Sequence, residues 1–324
     1  MKILVTGGAG FIGSHLTERL LADGHEVTVL DLMTTGRAEN LAPVADHPAL
    51  SVIKGSVTNS STVDRCVSSV DAVYHLAAAV GLFTILDKTL LSLRTNIRGT
   101  ENVVDAAYRY GTRLLVASTS EVYGKNTKVG LTEDDDRIIG SPLVSRWSYA
   151  EAKAVDETLT HIYARELGLR AVIVRLFNTV GPRQSGRYGM VVPRFVGQAL
   201  AGEPLTVYGT GQQIRCFCHV ADVVPALIAL LEDDTATAQV FNVGSSEQVT
   251  ISDLAKRIIA TTGSRSEITY VPYGEAYGEG YEDMLRRVPD CSRAEQQIGF
   301  RPRRTLDDII ASVVEDVTAQ PLGA

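Results

Sequence analysis

Lys2-Ile3-Leu4-Val5-Thr6-Gly7-Gly8-Ala9-Gly10-Phe11-Ile12-Gly13 opens the chain with a strand-like run, a glycine cluster and the start of a helical pattern. Phe11–Ala22 carries Ile12, Leu16 and Leu20 at steps of four, on one helix face. The glycines stand in a G-x-x-G-x-x-G spacing between strand and helix. Such a tight turn brings backbone against a pyrophosphate at a helix N-terminus, so Gly7, Gly10, Phe11, Ile12 and Gly13 are expected to hold a dinucleotide. Asp31 ends the next apolar run, 18 residues after Gly13. Its carboxylate suits a ribose diol and repels a 2′-phosphate, which predicts NAD over NADP. Arg37 nearby softens that discrimination.

The same rhythm continues outward. Glu26–Leu30, Leu50–Ile53, Asp71–Leu76, Arg113–Ser118 and Ala171–Leu176 read as strands. Helical stretches at Leu90–Tyr110 and Tyr149–Leu167 separate the later ones, which predicts a doubly wound parallel sheet with helices on both faces. Ser56 and Val57 follow the third strand, where adenine contacts fall. Leu76, Ala77 and Ala78 end the fourth with residues small enough to pass under a dinucleotide. Past residue 177 the pattern changes to Gly-, Pro- and Arg-rich loops. Ile214–Cys218 and Gln239–Val243 flank a helix at Val220–Leu231 and are expected to return to the main sheet. Helices follow at Ser252–Thr262 and Thr305–Val317, with a tyrosine-rich loop at Pro272–Pro289 between them. The expected division is a first lobe of residues 1–176, joined by 214–243, and a smaller α/β substrate lobe of 177–213 and 244–324.

Composition narrows the function. With 324 residues, 45% hydrophobic and 21% charged, the chain can bury a large core, which excludes a disordered or disulfide-framed class. A net charge of −7 disfavours a nucleic-acid partner, so anionic ligands need a local arginine cluster. The most apolar stretch, Val70–Leu86, contains Asp71 and His75 and is a poor membrane span. Ile3-Leu4-Val5 is too short for the apolar core of a signal peptide. Cys66, Cys216, Cys218 and Cys291 lack the spacing of a zinc or redox motif, so no metal is expected and a cytoplasmic location is.

Tyr149-Ala150-Glu151-Ala152-Lys153 sets a phenol and an ammonium at i, i+4 on one helix face. Bringing a tyrosine from about pKa 10 to about 7 takes roughly 4 kcal/mol. An adjacent Lys⁺ and a cationic nicotinamide supply charge of the right sign. With the glycine fingerprint and Ser118-Thr119-Ser120 ending the fifth strand, the chain resembles the extended short-chain dehydrogenases/reductases that act on nucleotide sugars. That resemblance spans nearly the whole chain and implies a Rossmann-type fold. It implies that Tyr149 is the base for oxidation of a sugar hydroxyl, that Lys153 orients the nicotinamide ribose, and that Thr119 holds the reacting oxygen. Ser56 departs from the pattern, since many relatives carry Asp there. In the second half, Asn178 and Arg183 of Arg175–Arg183, Val207 and Tyr208 of Leu205–Gly209, and Arg215 of Gln213–Arg215 resemble the segments that hold a sugar diphosphate and uracil. They favour a UDP-sugar, and relatives imply a homodimer.

Thr119-Ser120-Glu121 separates the possible reactions. Related 4,6-dehydratases have Asp-Glu where this chain has Ser120-Glu121, so dehydration lacks its acid. The Thr-Ser-Glu run resembles UDP-glucuronate decarboxylases, also called UDP-xylose synthases. So does Arg287 ahead of Pro289, and Ser145-Arg146-Trp147-Ser148-Tyr149 resembles a related decarboxylase domain. The resemblance implies oxidation at C4, loss of CO2 from the β-keto acid, and reduction to a UDP-pentose. Early escape of the intermediate would instead release the 4-keto pentose. Glu121 is expected to repel the substrate carboxylate, and Glu121 with Arg287 to hold the water that protonates C5. A UDP-sugar 4-epimerase is the alternative within enzymes, and a non-catalytic NAD-binding scaffold or sensor the alternative outside them.

Overall fold

The computed structural model describes residues 1–81, 86–186, 189–277 and 282–319. Arg187, Tyr188 and Tyr281, which the sequence assigns to loops, lie outside the described residues, as do positions 82–85 of the apolar stretch. Six strands build most of one sheet: β1 (Lys2–Thr6), β2 (Glu26–Asp31), β3 (Leu50–Lys54), β4 (Ala72–His75), β5 (Arg113–Thr119) and β6 (Ala171–Leu176). A seventh, Val240–Val243, lies beside β6, and the order is Val240–Val243, β6, β5, β4, β1, β2, β3. All six pairings are parallel. The order reverses between β1 and β4, the crevice where a doubly wound sheet binds ligands.

Alternation along each strand divides the core between the two faces. Ile3 and Val5 pack with Leu16, Leu20, Leu227 and Phe241 on one side. Leu4, between them, packs with Val73, Val103, Val104 and Leu114 on the other. Because both faces are covered, the strands read as continuous apolar runs. Helices Thr89–Tyr110 and Ser148–Leu167 lie against each other beside β5.

The second lobe has its own core, in which Val192, Phe195, Leu254, Ile258, Ile309 and Ile310 join helices Val191–Ala201, Ile251–Thr262 and Leu306–Ala319. Leu205–Tyr208 pairs in parallel with Ile268–Val271 beneath them. The expectation that Ile214–Cys218 rejoins the main sheet needs correction. Ile214–Cys216 pairs antiparallel with Gln248–Thr250, and Cys218–His219 pairs with Thr179–Val180. Phe217 interrupts the run between them. The loop expected at Pro272–Pro289 includes a short helix, Tyr273–Tyr277. No described helix is long and apolar enough to cross a membrane.

Candidate active site

The glycine turn is shaped by what it must avoid. Gly7 sits at φ +72, and a Cβ there would lie 2.8 Å from the Ala77 nitrogen. A Cβ on Gly13 would lie 2.1 Å from the Gly7 carbonyl oxygen. Only glycine lets the turn, the first helix and the end of β4 meet this closely. The helix begins after Gly10 with no side-chain cap, so its first amide groups face outward for an anion. Phe11 and Ile12 are half-buried in that first turn. Asp31 accepts hydrogen bonds from the amides of Ala9 at 3.0 Å and Met33 at 2.8 Å. Its carboxylate is thereby fixed beside the turn, and these features fit a dinucleotide with a free ribose diol.

Ser56 closes a local turn with Thr58, hydroxyl to hydroxyl at 2.8 Å. Val57 is buried against Gly99, and its carbonyl accepts from Asn102 at 2.9 Å. Leu76, Ala77 and Ala78 are half-buried where β4 ends. The Thr6 hydroxyl receives the Ala77 amide at 3.3 Å and meets His75 Nδ1 at 2.8 Å. Burial, then the Lys153 charge, pushes His75 down to about 3, so its ring is neutral.

Tyr149 and Lys153 lie on helix Ser148–Leu167, 6% and 2% exposed. Beneath that helix Glu157 forms a buried pair with Arg175 of β6, 2.9 and 2.7 Å apart, and accepts from Ser118 of β5. This clamp holds the helix against the strand ends that carry the site. The phenol is not lowered here. Burial, then the Glu121 and Asp156 charges, pushes Tyr149 well above the ordinary tyrosine value. The ammonium expected to lower it is itself opposed, because Lys153 Nζ lies 3.1 Å from Asp156.

Thr119 ends β5, its hydroxyl accepting the Glu121 amide at 3.2 Å. The next turn, Ser120–Tyr123, presents Glu121 to two guanidinium groups. Arg146 donates to Glu121 Oε2 at 2.6 Å, and Arg287 NH1 lies 3.5 Å from Oε1. Burial opposes the Glu121 charge, but Arg146 and then Arg287 outweigh it and bring the carboxyl down to about 2. Glu121 is therefore a compensated anion, and the expected simple repulsion of a substrate carboxylate does not describe it. Arg287 also donates to Asn178 Oδ1 at 2.7 Å, with its Nε buried and without a hydrogen-bond partner. Burial, then Arg215, lowers it to about 10. Asn178 sits at φ +31 and anchors through its amide to the Cys216 carbonyl at 2.7 Å.

Arg146 is the residue that sequence reasoning left without a role. It lies three positions before Tyr149, 4% exposed, its guanidinium 5.4 Å from the Trp147 ring centre. The signal was an arginine beside a tryptophan just ahead of the helix that carries Tyr149. Its partner comes from another segment, which spacing does not reveal.

The remaining second-lobe residues divide. Arg215 is 8% exposed and bound to both Asp283 oxygens at 2.9 and 3.0 Å and to the Met284 carbonyl at 2.7 Å. Tyr208 has Arg194 stacked 4.3 Å over its ring and Tyr277 edge-on at 5.0 Å. Val207 is fully buried in the second core, so only its backbone is offered to a base. Arg183 bonds Glu18 at 2.7 Å and, through its amide, Asp316 at 2.9 Å. Neither bond joins it to Asn178 or Arg287. Among the described residues no group of three or more His, Cys, Asp and Glu is placed to hold a metal ion.

Residues 3–244 match the NAD dependent epimerase/dehydratase family. The chain is 40% identical to a UDP-N-acetyl-alpha-D-glucosaminuronate decarboxylase of Bacillus cytotoxicus, over 93% of this chain and 92% of the relative. It is 38% identical to UDP-glucuronic acid decarboxylase 1 of Danio rerio, over 97% of this chain and 72% of that one. The UDP-glucose 4-epimerase of Thermotoga maritima, solved with UDP-glucose, superposes with a TM-score of 0.88 at 30% identity, covering 98% of this chain and 99% of the other.

Proposed function

The chain belongs to the NAD dependent epimerase/dehydratase family, and from that premise we propose that it decarboxylates UDP-glucuronate to UDP-xylose. The observation that carries this is Glu121 held between Arg146 and Arg287, on the turn that follows Thr119. Two guanidinium groups and one carboxylate leave one positive charge in a buried site. A hexuronate carboxylate neutralises it, whereas a neutral hexose leaves it uncompensated. The buried Arg287 Nε, without a hydrogen-bond partner, is a donor for such an anion. A 4-epimerase for neutral hexoses has no need of this charge.

NAD supplies the acceptor, and later the donor, of the C4 hydride. Tyr149, deprotonated in the NAD⁺ complex, takes the C4 hydroxyl proton as that hydride leaves, with Lys153 holding the ribose. Thr119 and the Tyr149 phenol then polarise the C4 ketone, so the electrons of the C5–C6 bond enter it as CO2 departs. A water between Glu121 and Arg287 protonates C5 and takes a replacement proton from solvent, and Tyr149 returns its proton to the C4 oxygen as hydride comes back. Asn178, Arg215 and Tyr208 bind the UDP portion. Arg215 does so by exchanging Asp283 for the diphosphate.

Helices Thr89–Tyr110 and Ser148–Leu167 expose Leu91, Tyr108, Val155 and Ile162, an apolar face suited to a two-fold pairing of chains. Four free cysteines suit a reducing cytoplasm. The deciding experiment is NMR of purified protein with NAD and UDP-glucuronate, run in parallel with its 2-acetamido analogue. Loss of the C6 carboxylate and a pentose signal are expected. UDP-galacturonate as product would make the chain an epimerase, and unchanged sugars would make it a scaffold.

A further inference from the structure

Tyr149, Lys153 and Asp156 occupy positions i, i+4 and i+7 of helix Ser148–Leu167, so one face carries all three. Asp156 is 1% exposed, and its Oδ2 lies 3.1 Å from Lys153 Nζ. Burial raises its carboxyl, while Lys153 and the Thr100 hydroxyl of helix Thr89–Tyr110 favour its charge. Behind Thr100 the polar groups form a row. His75 Nε2 lies 3.1 Å from the Thr100 hydroxyl, and His75 Nδ1 lies 2.8 Å from Thr6, which receives the Ala77 amide. Neutral His75 with its proton on Nε2 receives the Thr6 proton at Nδ1 and donates to Thr100, whose own proton is free to point toward Asp156. Both Asp156 oxygens are buried without a hydrogen-bond partner, so the Lys153 ammonium is what answers their charge.

A buried ion pair adds little stability over an apolar pair of the same shape, so stability alone does not account for this carboxylate. Its position does. We infer that Asp156 is a counterweight to Lys153. It cancels enough of the ammonium's field for Tyr149 to remain a phenol until the positive charge of an oxidised nicotinamide is also present. Asp156 is a positioning residue in this reading, acting on Tyr149 through Lys153.

The consequence is a base made only in the complex able to accept hydride. With NAD⁺ bound, Tyr149 would release its proton to solvent; it would then take the C4 hydroxyl proton while the C4 hydrogen left with its electron pair and a C=O bond formed. With the cofactor's positive charge then gone, Tyr149 would keep the proton it must later return.

Other charges face the phenol. Glu121 comes from the turn after β5, backed by Arg146 from the preceding turn and Arg287 from the second lobe. Their carboxylate and guanidinium groups pair with each other. Glu157, next to Asp156, is committed to Arg175. Among the described residues, Asp156 is the carboxylate paired with Lys153.

The inference rests on Tyr149 being the base, and its test reads the phenol directly. Tyrosinate absorbance is titrated in the NAD⁺ complex, wild type minus Tyr149→Phe, and again in an Asp156→Asn background. Asp156→Asn is expected to bring the Tyr149 midpoint down by about one pH unit or more. Thr100→Val, which leaves the carboxylate but removes a hydroxyl that favours its charge, is expected to shift it the same way by less. A midpoint in folded Asp156→Asn matching wild type overturns the inference. If that variant does not fold, an unchanged midpoint in Thr100→Val overturns it. Hydride transfer surviving in Tyr149→Phe would remove Tyr149 as the base, an outcome separate from either titration.

Discussion

At the dinucleotide end of the cleft, positions 7 to 13 act through backbone, and their glycines are there for the side chains they lack. At the charged end, Glu121, Arg146, Asn178 and Arg287 act through long side chains drawn from four separate segments. The first region is a local structure whose function follows from its own residues. The second exists only when β5, the turn before helix Ser148–Leu167 and the second lobe are assembled. Substitutions in the first should therefore damage binding and fold together, and those in the second should separate chemistry from binding.

Gly13→Ala should have the largest effect. Its Cβ would stand 2.1 Å from a backbone oxygen with no flexible side chain to give way. NAD affinity measured by calorimetry should fall roughly a thousandfold, about 4 kcal/mol. Near-normal affinity would show that the turn relaxes and the backbone contrast is overstated.

Glu121→Ser comes next, with CO2 release reduced on the order of a hundredfold and NAD affinity within about twofold of wild type. Equal CO2 release in that variant removes Glu121 from the chemistry.

Arg146→Gln tests whether Glu121 needs its second arginine. The folded Glu121 carboxyl, at about 2, lies below its ordinary 4.5, so its contribution is present above pH 4.5 and lost as pH falls toward 2. That contribution is about 3 kcal/mol. Tm of the variant should trail wild type most at pH 6 to 7, and the gap should narrow toward pH 3. Its decarboxylation rate should gain an acid limb at higher pH than in wild type. A pH-independent Tm gap would reduce Arg146 to packing against Trp147.

Arg183→Ala is the smallest change. Loss of a partly exposed bond to Glu18 should cost about 1 kcal/mol and leave KM for the UDP-sugar nearly unchanged. A tenfold rise in KM would bring Arg183 back into the diphosphate site.

Tyr149 and Lys153 were legible because an i, i+4 pair needs only its own helix. Asp156 stands on the same helix yet reads as a solvated acid, since burial by Thr89–Tyr110 is invisible in spacing. Val207 illustrates a different limit. Strand alternation turns its side chain into the second core, so the contact expected of it with a base falls to its backbone. Ile214–Cys216 has unmistakable strand character, but propensity does not choose a partner, and the strand paired outside the main sheet.

The chain's primary structure was sufficient for the parallel sheet, the glycine turn and the phenol–ammonium pair, because each depends on contacts within a few residues or on a repeating period. Folding was needed to set the ionisation of those groups. The strength of a charge depends on its depth and on which opposite charge lies within about 4 Å, and both come from segments far apart in the chain. Glu121 is an anion because Arg146 and Arg287 arrive beside it, and Tyr149 is held as a phenol because burial excludes water and the Glu121 and Asp156 charges lie near it.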